Sequence, residues 1–156
     1  MSDVPAPENL RRGEGPRRTP LRSLAQPRPT AERGSAMIVQ AVSLTVSGAR
    51  ASVSVEVREQ GEQSVGVAEG ACAGNALDRL VAEATLRAVA GIEREADLLA
   101  LDAVAVAPLG TRDVATAVLA AGDTALVGAA AVGAAGRADA VARAVLDAIA
   151  HRSASS

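Results

Sequence analysis

A chain of 156 residues without one Phe, Tyr or Trp is the size of a single domain, but its core must come from Val, Leu, Ile and a great deal of Ala. These side chains bury little area each, so close approach of small-faced elements has to compensate. All sixteen cationic side chains are Arg, against eighteen acids for a net charge of −2, and the single Cys72 and single His151 exclude an internal disulfide framework and leave too few ligands for a zinc site or a Cys–His pair.

Residues 1–35 hold six of the seven prolines and seven Arg against four acids, a net charge of +3. Such a segment has few residues able to join a core and is predicted to be a disordered Pro/Arg-rich tail. The remainder, 36–156, carries nine Arg against fourteen acids, net −5. That contrast allows the tail to fold loosely onto its own body or to engage an anionic or protein partner, whereas nucleic acid is not expected, because no aromatic interleaves the arginines and the body is acidic. No uninterrupted run of eighteen apolar residues and no apolar N-terminal stretch occur, so neither a membrane span nor a secretory signal is expected, and a cytoplasmic location is.

From Met37 the pattern takes period two. Val42, Leu44 and Val46 alternate with Ser43, Thr45 and Ser47; Val53, Val55 and Val57 alternate with Ser52, Ser54, Glu56 and Arg58; Val65 and Val67 follow a turn at Gln60-Gly61-Glu62. Three antiparallel strands are predicted. Asn75 is placed to cap a helix running to about Ala90, with Gly91 as its stop. The second half predicts strands over 99–107, 113–120 and 125–132 and a helix over 139–150. Residues 81–90 and 141–150 match position by position except for like-for-like apolar exchanges and changes on one polar face. The predicted fold is therefore α+β: one domain, 36–156, of two repeats, 38–92 and 99–150, in the order βββα-βββα, an antiparallel sheet with two helices packed on one face.

Comparing the repeats marks candidate contact residues. Leu77, Leu80, Val81, Ala84, Thr85 and Ala88 share one helical stripe, and Val141, Ala144, Val145 and Ala148 form its counterpart. Leu86 and Leu146 fall outside these stripes at equivalent places, which suggests contact between the helices or with another chain. The polar faces are inverted in sign, Arg79, Glu83 and Arg87 against Asp139, Arg143 and Asp147, and could pair across the two helices. Ser52, Ser54, Glu56 and Arg58 make the sheet's other face polar in the first half, whereas Ala115, Ala117 and Leu119 are read as leaving it apolar in the second. A homodimer covering that patch is expected.

The loops before the helices carry the ligand candidates: Gly70, Gly74 and Asn75 in the first repeat, Gly133 and Gly136 in the second. Glycines at a helix start let an anionic or carboxylate ligand approach backbone N–H groups, although strand-to-helix turns also need glycines. Cys72 lies in the first loop without a Lys or His to serve as base and reads as a small filler. No catalytic set, metal site or cofactor motif is read, and without Lys no P-loop can be completed.

The βββα-βββα order, with the stretch Ala68-Glu-Gly-Ala-Cys-Ala-Gly-Asn-Ala-Leu77 leading into the first helix, resembles the C-terminal regulatory domain of α-isopropylmalate synthase and citramalate synthase. That family has a G-x-G-P-like loop followed by a small residue and Leu; here the glycines and Ala-Leu remain and the Pro does not. The resemblance, over about 38–150, implies a dimerising fold that binds an end-product amino acid near the subunit interface. These residues include no catalytic barrel, so it implies a stand-alone, non-enzymatic module that binds a small metabolite such as an amino acid or serves regulatory dimerisation. The alternative is a structural adaptor that recruits a partner through its tail.

Overall fold

Val53, Val55 and Val57 alternate with Ser52, Ser54 and Glu56, and the chain answers that pattern with a strand whose three valines are fully buried. The structure, a computed structural model, describes residues 36–155. The tail over 1–35 and its expected partner contacts lie outside the described residues.

Strands β1 (Ile38–Ser47), β2 (Arg50–Glu59) and β3 (Glu62–Ala71) form one antiparallel sheet in the order β1-β2-β3. Helix α1 (Ala76–Ala90) follows, then a short 3-10 segment (Arg94–Leu98). Strands β4 (Ala100–Leu109), β5 (Arg112–Ala121) and β6 (Thr124–Ala131) form a second sheet in the order β4-β5-β6, and helix α2 (Arg137–Ser155) ends the described chain. The βββα-βββα order is as predicted, with the strands hydrogen-bonded as two three-stranded sheets instead of one continuous sheet. Even an irregularity is duplicated: the register shifts between Val39 and Ala41 in β1 and between Leu101 and Ala103 in β4.

Each helix lies on its own sheet, α1 on β3 and β2, α2 on β6 and β5; the helices also pack on each other, and each reaches the first strand of the opposite half, α1 to β4 and α2 to β1. Close approach supplies what missing aromatics would otherwise give. Ala82, Ala84, Ala88, Ala140, Ala142, Ala144 and Ala148 are all fully buried. Gly66 and Gly128 bring strand and helix backbones into contact: a Cβ at Gly66 would lie 2.0 Å from Ala84 O, and one at Gly128 would lie 2.2 Å from both Ala144 O and Ala148 N. Gly91 ends α1 in right-handed φ/ψ (−70°, −20°), so no left-handed cap requires it; a Cβ there would sit 2.1 Å from Ser64 Oγ. Asn75 holds the cap position without a side-chain capping hydrogen bond.

Two ion pairs clamp the halves together. In the first turns, Arg137 donates to both carboxylate oxygens of Asp78, at 3.0 and 2.7 Å; beyond the last turn of α1, Glu93 takes Arg152 at 2.7 Å. Start meets start and end meets end, so the helices run in the same direction. The hydrogen bond from Arg137 to Asp78 raises the guanidinium pKa above its usual value and locks its charge. The cross-helix pairing expected of the inverted rows is carried by these four residues instead. Among the described residues no helix is long and apolar enough to cross a membrane.

Candidate functional site

The two sheets expose different chemistry on the faces turned away from the helices. On the first, β2 presents Arg50, Ser52, Ser54, Glu56 and Arg58, β1 adds Ser43, Thr45 and Ser47, and β3 adds Gln63 and Glu69 beside Val65 and Val67. Gln63 donates a hydrogen bond to Glu56 across this surface. On the second, β4 presents Ala103, Ala105, Ala107 and Leu109, β5 presents Arg112, Val114, Thr116, Val118 and Ala120, and β6 presents Ala125, Val127, Ala129 and Ala131. All are exposed or half-buried, and beyond Arg112 at the start of β5 Thr116 is the one polar side chain among them. A patch of short side chains, uncharged past Arg112 and rimmed by polar turns, has the composition of a surface that meets another surface.

The structure corrects which residues make that patch. Ala115, Ala117 and Leu119, read from the sequence as the outward row, are fully buried under α2. They pair in register with Ala130, Gly128 and Leu126, and Gly128 faces the helix, so theirs is the core row and the outward row is shifted by one residue. They cannot contact a second chain. Strands β2 and β5 correspond at a spacing of 62 residues, which sets Ala115 against Val53 and Val118 against Glu56; that alignment was the signal available. Leu146 is 9% exposed and packed in the core, while half-buried Leu86 lines an open groove with Ala96, Leu99 and Leu101. Ala82, Val89, Ala142 and Ile149 are buried as well, giving each helix a second apolar face to which Leu86 and Leu146 belong. Leu146 therefore makes its contacts within the chain.

The outer edges of β3 and β6 are closed by helix side chains, and this explains the inverted charges. Along β6, His151 Nδ1 lies 2.8 Å from Val127 O, Ala129 N donates to Asp147 at 3.0 Å, and Arg143 donates to Ala131 O at 2.9 Å. These three side chains recur every four residues on α2 and meet alternate residues of the strand. On α1, Arg87 donates to Val67 O. Val67 and Ala129 are equivalent edge residues, so a cation serves the carbonyl of one and an anion the N–H of the other. The remaining members pair within their helices, Arg79 with Glu83 at 3.3 Å and Arg143 with Asp139 at 2.7 Å, and Arg79 also donates to Leu101 O of β4. Three such contacts along β6 hinder addition of another strand at that edge.

The candidate ligand loops come to the same end of the molecule, because Asp78 and Arg137 join the first turns they precede. The Asp78 carboxylate, 5% exposed, thus stands beside both helix starts, the place an anion would take. Gly74 (φ +59°) and Gly136 (φ +95°) occupy left-handed turn positions; Gly70 leaves room for Leu80, whose Cδ2 would be 3.2 Å from a Cβ there; a Cβ at Gly133 would meet nothing within 4 Å, and Asn75 is exposed. Cys72 is half-buried against the core, with its N–H donated to Ala49 O at 3.1 Å. Among the described residues no three His, Cys, Asp or Glu side chains converge as a metal site. No family model matches the chain, and no curated protein matches it in sequence.

Proposed function

We propose that this chain is a non-catalytic assembly module that forms a homodimer through the outer face of β4-β5-β6. Of the two roles expected of such a module, ligand capture and dimerisation, the geometry favours dimerisation. One observation carries the reading: equivalent positions that hold Ser52, Ser54, Glu56 and Arg58 in the first repeat hold Val114, Thr116, Val118 and Ala120 in the second. The same strand thus serves as an internal control, and only one copy has lost its affinity for water. The Arg-rich tail does not match an uncharged apolar surface, whereas a second copy of that surface does.

Three strands about 4.8 Å apart and about 30 Å long offer roughly 400 Å² per copy, about 800 Å² in all, which is below the standard range of specific interfaces and fits a weak association. The dimer is therefore concentration-dependent. Kinship with the synthase regulatory domains fits this reading through element order alone. A non-catalytic role is supported by the separation of the one Cys from the one His: Cys72 precedes the first turn of α1 and His151 lies near the end of the co-directional α2, about 20 Å along the helices. Sedimentation velocity of the full chain between about 1 and 200 μM tests the proposal. It predicts a shift from the 15.6 kDa monomer toward twice that mass; a monomer throughout contradicts it.

A further inference from the structure

Assuming the dimer just proposed, the charges at the two ends of the second sheet fix how the copies face each other. Arg112 opens β5 at one end, on the outward row with Val114. At the opposite end stand Asp102, in the bulge of β4, and Asp123, in the turn between β5 and β6. All three are exposed, and among the described residues none makes an ion pair or a side-chain hydrogen bond. The neighbouring Asp113 belongs to the core row, and its charge acts on Arg137. The second sheet therefore has Arg112 at one end and two exposed aspartates at the other, with an uncharged stretch of its outward row between.

We propose that the two copies pack face to face about a two-fold axis that lies in the interface and crosses the strands, so that Arg112 of each copy meets Asp102 and Asp123 of its mate. Stacked sheets lie about 10 Å apart, a gap an Arg and an Asp side chain span together. The other isologous arrangement, with the axis along the strands, sets Arg112 on its own copy and the aspartates on theirs. Like charges in apposition oppose it. The apolar middle thus supplies attraction, and the ends supply orientation and partner choice.

The test is a charge swap followed by sedimentation and calorimetric titration, in the full chain. Arg112→Asp alone, and Asp102→Arg with Asp123→Arg alone, each place like charges at both contacts, and each is expected to weaken self-association at least about tenfold with an unchanged thermal melt. Mixing the two variants makes every contact complementary again, and the mixture is expected to form a heterodimer with wild-type affinity. A wild-type dimer unaffected by either variant, or weakened variants that fail to recover on mixing, overturns this orientation and leaves the assembly reading standing. A monomeric wild type removes the assembly reading itself.

Discussion

The first repeat covers one face of its sheet with a helix and gives the other to water; the second builds the same sheet and helix and leaves an exposed face of Ala and Val. Backbone geometry is held in common: bulges recur at matching places, a glycine in β3 and in β6 admits a helix backbone, and an edge strand is closed by side chains of the helix beside it. The clearest difference lies in the outward rows of the two sheets. The helix-covered faces are alike in build, and the outer faces are where the polarity changes.

The largest effect is expected where the halves are alike. Gly128→Ala and Gly66→Ala each force a Cβ against helix backbone and should cost about 3 kcal/mol by urea denaturation, equally in both repeats. A loss in one repeat only would break the structural equivalence. Next comes the clamp between halves. Arg137→Ala leaves the Asp78 carboxylate buried without its cation and should cost about 2 kcal/mol, whereas Arg152→Ala, whose partners Glu93 and Glu95 are more exposed, should cost under about 1 kcal/mol. Equal losses would mean that burial does not set their worth. The edges rank with the exposed clamp: Arg87→Ala and Asp147→Ala should each cost under about 1 kcal/mol, and Arg87→Asp, which turns a carboxylate toward Val67 O, should cost more than Arg87→Ala.

The order of elements was legible because turn glycines and period-two valines punctuate the chain, and the second helix repeats the first. The outward row of β5 was not. In β2, Val alternates with Ser and Glu, and the core row declares itself; from Val114 to Ala120 both rows are apolar, and a one-residue shift exchanges them without changing the pattern. The charge rows misled for a related reason. Their sign inversion is real, but its partners are backbone groups on strand edges, which no side-chain alignment displays. Asp78 and Arg137 were missed because their positions hold Ala138 and Leu77 in the other repeat, so comparing copies offered no paired signal there. The candidate ligand glycines Gly74 and Gly136 show how one residue type answers two questions: left-handed turns demand them whether or not a ligand visits.

The central claim is that the outer face of the second sheet has been freed for self-association, and transplanting the first repeat's residues tests it. Val118→Glu with Ala120→Arg recreates in β5 the pair that β2 carries as Glu56 and Arg58, at positions where the fold already tolerates it. In sedimentation at about 100 μM the full chain should be largely dimeric and this variant monomeric, with melting temperatures within about 3 °C of each other. A variant that remains dimeric would contradict the account.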